Sequence, residues 1–195
     1  MNKTWLGLSF VFGLALMLAA PVLADFQAGV DAWKRGDYEA ALKEWRPLAE
    51  QGDAEAQYLL GNMYLQGLGV VQDYGEAAQW YRKAAEQGFA KGQNNLGELY
   101  KLGQGVPQDN QEALRWYRRA AEQGNAAAQY NLGEMYALGR GVPHNYIQAY
   151  MWNSLAAADG FTIAITDQYV LESFMTPTQI AEAQRLAREW TPKGK

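Results

Sequence analysis

Residues 89–124 read FAKGQNNLGELYKLGQGVPQDNQEALRWYRRAAEQG, and the stretch is nearly repeated on either side of itself at an offset of 36 residues. Gln51-Gly52, Gln87-Gly88 and Gln123-Gly124 mark successive ends, and Asp159-Gly160 closes the series. Between those marks Leu60-Gly61, Leu96-Gly97 and Leu132-Gly133 align, as do Tyr64, Tyr100 and Tyr136, and Trp80, Trp116 and Trp152. A fixed period of this length is the signature of a stacked array, because one short unit cannot bury its own apolar side. Three full units span 53–88, 89–124 and 125–160, preceded by a shorter helix pair within 25–52 whose halves join through Gly36-Asp37-Tyr38.

Each unit reads as two helices. Gln57, Leu60, Gly61 and Tyr64 share one stripe at helical spacing, and Ala77, Trp80, Tyr81, Ala84 and Ala85 share another. Between the halves fall segments such as Gly103-Gln104-Gly105-Val106-Pro107, where glycine takes left-handed geometry and proline cannot continue a helix. They are expected to be hinges between antiparallel helices. The glycine inside each first helix costs about 1 kcal/mol against alanine. The expected compensation is close approach of helices, with Tyr and Trp rings of adjacent units filling the space.

The pattern Ala-x-x-x-Leu-Gly-x-x-Tyr, then Gly-x-Gly-Val-x-x-Asp, then Ala-x-x-Trp-Tyr-x-x-Ala-Ala-x-x-Gly resembles the Sel-one-like repeat, a branch of the tetratricopeptide superfamily. The middle unit meets it at Leu96, Gly97, Tyr100, Gly103, Gly105, Val106, Asp109, Ala113, Trp116, Tyr117, Ala120, Ala121 and Gly124, and departs at Gly92, where the pattern has Ala. The resemblance implies an all-α fold, a right-handed alpha-alpha superhelix of antiparallel helix pairs, and a role in protein–protein contact and scaffolding.

The segment 161–195 drops the motif. Thr176, Pro177 and Gln179 form a helix start with a capping box, and Ile180, Ala183, Ala187 and Trp190 form one apolar stripe, as a terminal cap requires. A further helix is expected near 163–174.

At the other end, Lys3, the uncharged run Trp5–Leu18, and Val22 and Ala24 at −3 and −1 read as a signal peptide, residues 1–24, cleaved to leave Asp25 first. Residues 4–24 are 21 uncharged positions, so an uncleaved anchor is the competing reading. Cleavage implies a periplasmic or secreted protein with no membrane contact of its own. Removal of Lys3 takes the net charge from −4 to −5. That balance excludes nucleic acid as a natural partner, since phosphate binding needs a basic stripe. The absence of cysteine removes disulfides, thiolate chemistry and most zinc sites.

Little points to catalysis. His144 is the only histidine, in the third loop where Gln72 and Gln108 precede it, and pairing it with Ser154 lacks a third group. Some Sel-one-like proteins resemble penicillin-binding or β-lactamase-like enzymes, but with paired cysteines, and no Ser-x-x-Lys occurs here. The Gly-x-Gly loops follow helices rather than strands, so they are no dinucleotide fingerprint. Arg82-Lys83 and Arg118-Arg119, beside Glu86 and Glu122, read as solvated ion pairs. The three tryptophans read as core. No cofactor or metal is expected.

In stacked helix pairs the first helices line the concave surface. Its variable residues Tyr58, Asn62, Asn94, Asn95, Glu98, Tyr130, Asn131 and Glu134 are the candidate partner-binding set, offering contact area and hydrogen bonds; an ordinary polar helix face is the alternative. The expected function is a monomeric, non-catalytic scaffold of the bacterial envelope that holds a protein or peptide whose identity is open. A cell-wall hydrolase or β-lactamase-like enzyme and a carbohydrate or exopolysaccharide assembly factor are the alternatives.

Overall fold

The computed structural model describes residues 24–192; the proposed leader, its cleavage point's upstream side and the anchor reading lie outside the described residues. The described residues form ten α-helices: α1 (Phe26–Lys34), α2 (Tyr38–Glu50), α3 (Ala54–Gln66), α4 (Tyr74–Glu86), α5 (Ala90–Leu102), α6 (Asn110–Glu122), α7 (Ala126–Leu138), α8 (Tyr146–Ala158), α9 (Ile163–Glu172) and α10 (Pro177–Glu189). No strand occurs among them. Successive helices pack on one another from α1 to α9, and α10 folds back on α8, so the chain is an all-α superhelix with a terminal helix laid against its last full unit. No helix among the described residues is long and apolar enough to cross a membrane.

Local chemistry sets the ends. Asp73 and Asp109, the acidic residues of the loop motif, are N-caps: each accepts from two backbone amides of the first turn, at 2.8 and 3.0 Å for Asp73. Such a cap contributes about 1 kcal/mol by satisfying amides that have no partner within the helix. At the far end of each first helix Gly67, Gly103 and Gly139 take the left-handed conformation and close α3, α5 and α7. The capping box at Thr176 and Gln179 forms as expected.

The core follows both stripes. Leu60, Leu96 and Leu132 are fully buried, as are Ala77, Ala113 and Ala149 and the rings of Tyr81 and Tyr117. Trp80, Trp116 and Trp152 are buried too. Cations lie over their faces: Lys83 Nζ sits 3.8 Å over the Trp80 ring, and Arg119 lies 4.8 Å from the Trp116 ring.

Three expectations need correction. The glycines that follow leucine in the first helices are covered by their own unit, not by its neighbours: a Cβ at Gly61 would run into the Tyr81 ring, and one at Gly97 would lie 2.9 Å from two carbons of the Tyr117 ring. Gly29 and Trp45 repeat that contact in the short first unit. Secondly, Arg82 forms no ion pair with Glu86, and both Arg82 and Arg118 bond beyond their own unit. They cross to the next unit and donate to the hydroxyls of Tyr100 (2.8 Å) and Tyr136 (2.9 Å), as Arg46 does to Tyr64 (2.9 Å). Lastly, Trp190 ends α10 rather than continuing it and packs edge-on against Trp152, 6.0 Å between centroids.

Buried glutamines join the units. Gln57 Nε2 donates to the Ala49 carbonyl (3.0 Å) in the preceding unit, and its carbonyl accepts from Gln87 (2.7 Å). Gln93 makes the same pair of bonds with Ala85 and Gln123. Gln129 reaches Ala121, but its Oε1 is orphaned, because Asp159 stands where Gln87 and Gln123 stand and a carboxylate has nothing to donate.

Candidate partner-binding face

Helices α3, α5 and α7 present their polar positions to one another, and these side chains link from unit to unit. Asn131 Nδ2 donates to Asn94 Oδ1 at 3.0 Å, Asn94 to Asn95 at 3.2 Å, and Asn95 to Asn62 at 3.3 Å. The Tyr81 hydroxyl donates to the same Asn62 oxygen at 2.7 Å. Beside this chain of amides runs a charged one. Lys101 bridges Glu98 (2.9 Å) and Glu134 (3.5 Å), and the Tyr117 hydroxyl donates to Glu98 at 2.5 Å.

Two depressions open on this face. The larger, about 550 Å³, holds Asn94, Asn95, Glu98 and Asn131 on its wall, with Tyr81, Leu99 and Leu102 beneath and beside them. The smaller, about 270 Å³, holds Tyr130 and Glu134 together with Leu138, Asn153, Asp167 and Val170. Six of the eight predicted residues therefore line a depression. Tyr58 and Asn62 line neither. Tyr58 packs between the rings of Tyr81 (6.1 Å) and Phe89 (5.4 Å), and Asn62 anchors the amide chain.

Tyr81 and Tyr117 are additions to the predicted set: their recurrence beside tryptophan reads as core, although their hydroxyls reach the polar face. Asp167 and Val170 of α9 are further additions. The 36-residue offset, continued past Gly160, places Asp167 at the position of Asn131 and Val170 at that of Glu134.

Burial raises the Tyr81 and Tyr117 hydroxyls well above the ordinary tyrosine range, Glu98's charge adding to the effect at Tyr117. The Tyr130 hydroxyl, which donates to Asp167 at 3.0 Å, is pushed up to about 12 by burial first, then by that bond and Asp167's charge. These groups hold their protons more tightly folded than unfolded, where tyrosine titrates near 10. Their contribution to stability is complete below that value and is lost as the pH climbs through the folded values. Absorbance titration at 295 nm should show Tyr130 ionising near 12 in the native protein, a step absent from Tyr130→Phe. Tyr81 and Tyr117 should ionise only on unfolding. A native titration that superimposes on that of the denatured chain would refute this.

His144 performs the structural task of the glutamines it replaces. Its Nδ1 lies 2.7 Å from the Ala137 carbonyl, as Gln72 Nε2 lies 2.8 Å from that of Leu65 and Gln108 Nε2 3.0 Å from that of Lys101. Ser154 donates to the Tyr150 carbonyl (2.8 Å) and accepts from Gln168 (2.6 Å). Neither is paired with the other. No cluster of three His, Asp or Glu side chains suited to a metal occurs among the described residues.

The Sel1 repeat model matches residues 54–89, 90–125 and 126–161, more than half of the chain. The chain belongs to the Sel1 repeat family. Sel1 repeat proteins are typically protein-interaction modules. Among solved structures, the chain is similar to a Sel1 repeat protein from Oxalobacter formigenes, at 40% identity and a TM-score of 0.70 over 74% of this chain and 59% of that one. It is also similar to a protective antigen with an SLR fold present in uropathogenic Escherichia coli strains, at 29% identity and a TM-score of 0.61 over 85% of this chain and 44% of that one. The chain thus spans less than two thirds of either. No curated protein matches it.

Proposed function

We propose that this Sel1 repeat protein is a non-catalytic scaffold of the bacterial envelope that receives an extended segment of a partner protein along α3, α5 and α7. The linked carboxamides of Asn62, Asn95, Asn94 and Asn131 carry this reading. Each amide has two donors and an oxygen with two lone pairs, so after the bonds within the chain each keeps unused capacity. A carboxamide is the same donor–acceptor pair as a peptide bond, and a row of them matches a backbone whatever its side chains. Apolar Leu102, half exposed beside them, supplies contact area.

The test is a display screen of random extended peptides on the purified protein, followed by affinity measurement on two triple variants. Asn94→Ala/Asn95→Ala/Asn131→Ala should weaken selected peptides about a hundredfold, from three hydrogen bonds at about 1 kcal/mol each. Gln79→Ala/Gln111→Ala/Arg115→Ala, on exposed positions of the second helices, should leave them unchanged. Equal losses in the two variants would overturn the proposal.

A further inference from the structure

In every unit but one a ring covers the glycine of the first helix: Trp45 at Gly29, Tyr81 at Gly61 and Tyr117 at Gly97. In the last unit the corresponding residue is Asn153, whose Oδ1 lies against Gly133. Asn153 is only 3% exposed, and that oxygen has no hydrogen-bond partner. Where Tyr81 and Tyr117 send a hydroxyl to Asn62 and Glu98, Asn153 is too short to reach Glu134, which occupies the same position of the repeat. The space beyond it is the 270 Å³ depression.

Its walls are apolar. Leu138 and Val170 are 46% and 55% exposed although they border it, and Leu171 is buried at its edge. Its floor holds acceptors. Asn153 Oδ1 is sealed against Gly133, which leaves Glu134, whose two cations stand only at 3.5 Å (Lys101) and 3.7 Å (Arg140). Asp167 is already served by the Tyr130 hydroxyl. Glu134 has no counterpart of the tyrosine hydroxyl that Glu98 receives at the same position of the repeat, so a neutral donor arriving on an apolar body is what the site lacks. A lysine fits less well, because Glu134 is already flanked by two positive charges.

From this vacancy we infer that the depression between α7, α8 and α9 is a subsite for a tyrosine side chain of the bound partner. Its ring lies between Leu138 and Val170. Its hydroxyl donates to Glu134, entering from the polar face to a place equivalent to the one that Tyr117's hydroxyl reaches at Glu98 from the interior. The inference rests on the scaffold reading above and names one residue of what the scaffold receives.

N-acetyl-tyrosinamide is the probe, with N-acetyl-phenylalaninamide and N-acetyl-lysinamide as comparisons, titrated against the full chain by NMR. The tyrosine probe should shift the Asn153 side-chain amide and the Leu138 and Val170 methyls saturably. The phenylalanine probe should bind about fivefold more weakly for want of one hydrogen bond. Asn153→Tyr, which restores the residue of the preceding units, should stay folded with an unchanged or higher melting temperature and lose the shifts. Equal binding of the phenylalanine probe, preference for lysine, no saturable shift, or full binding by Asn153→Tyr would each overturn the subsite. So would wild-type self-association that Asn153→Tyr abolishes, which would make a second copy the occupant. The asparagine triple variant of the previous section leaves this depression intact, so a failed subsite and a failed scaffold reading give different patterns.

Discussion

Gly97→Leu is expected to destabilise the protein by about 3 kcal/mol, the upper part of the usual range for overpacking. A leucine is the better helix former, and on propensity alone the change would stabilise by nearly 1 kcal/mol. Packing reverses that sign. A methyl at this position already lies 2.9 Å from Cδ1 and Cε1 of Tyr117 and 3.3 Å from the Ala113 carbonyl, and the remaining three carbons have nowhere to go. Tyr117 cannot yield freely, since its ring is fully buried and its hydroxyl is held by Glu98. For a chain of this size the loss corresponds to a melting temperature lower by roughly 6–12 °C. Gly97→Ala should cost about 1 kcal/mol or less, because ring adjustment and helix propensity oppose each other. The mechanism is checked by combining Gly97→Leu with Tyr117→Ala. If the two side chains compete for one space, the double variant is more stable than the sum of the single losses predicts. Strict additivity, or an unchanged melting temperature in Gly97→Leu, would sink the account.

The pairing behind that prediction shows what a repeat discloses and what it hides. Offset comparison finds Gly61, Gly97 and Gly133 at once, because each is an unfavourable residue retained at one phase of a helix. It does not say which neighbour fills the gap, since Tyr81, 20 residues on, and the aromatics of adjacent units are equally periodic. The arginine–tyrosine contacts between units were hidden for the same reason: Arg82 has Glu86 at i+4, and sequence proximity favoured an ion pair over the Tyr100 hydroxyl 18 residues away. The polar face was legible because its positions vary where the apolar stripe does not: Tyr58, Asn94 and Tyr130 share one position, and Leu59, Asn95 and Asn131 the next.

Its continuation onto α9 was not legible. There only Ala164 and Leu171 remain buried, at the phases of Ala128 and Met135, while the glycine phase carries Tyr169, 71% exposed. Nothing covers that phase because α10 starts at Pro177, five residues ahead of position 182, where the repeat offset from Tyr146 would start it. The early start sends α10 onto α8 instead of α9. A cap is thus a unit whose second helix has slipped out of register, a change that motif matching sees only as loss of signal.

Stacking of units, as distinct from packing within one, rests on the second glycine of each hinge, and Gly105→Ala is expected to cost about 3–4 kcal/mol. Part of this is conformational. Gly105 has φ of +68°, a region that costs an L side chain about 1–2 kcal/mol. The larger part is contact. A Cβ there would overlap the Tyr74 carbonyl and lie 2.6 Å from the Gly75 amide, backbone atoms at the start of α4 in the preceding unit. Gly69 meets Tyr38, and Gly141 meets Asn110, in the same way. Each hinge therefore lies on the first turn of the preceding unit's second helix, and backbone cannot rotate aside as a side chain does. Gly88→Ala is the matched control, with φ of +89° and no atom within 4 Å of the added methyl; it should lose only about 1–2 kcal/mol of strain. Because an array is held by nearest-neighbour interfaces, Gly105→Ala should also split unfolding into two steps, with residues 26–88 exchanging their amides ahead of the remainder. Urea titration and hydrogen exchange on both variants decide the matter. Equal losses with a single cooperative transition in each would mean that the hinge contact contributes nothing to stacking.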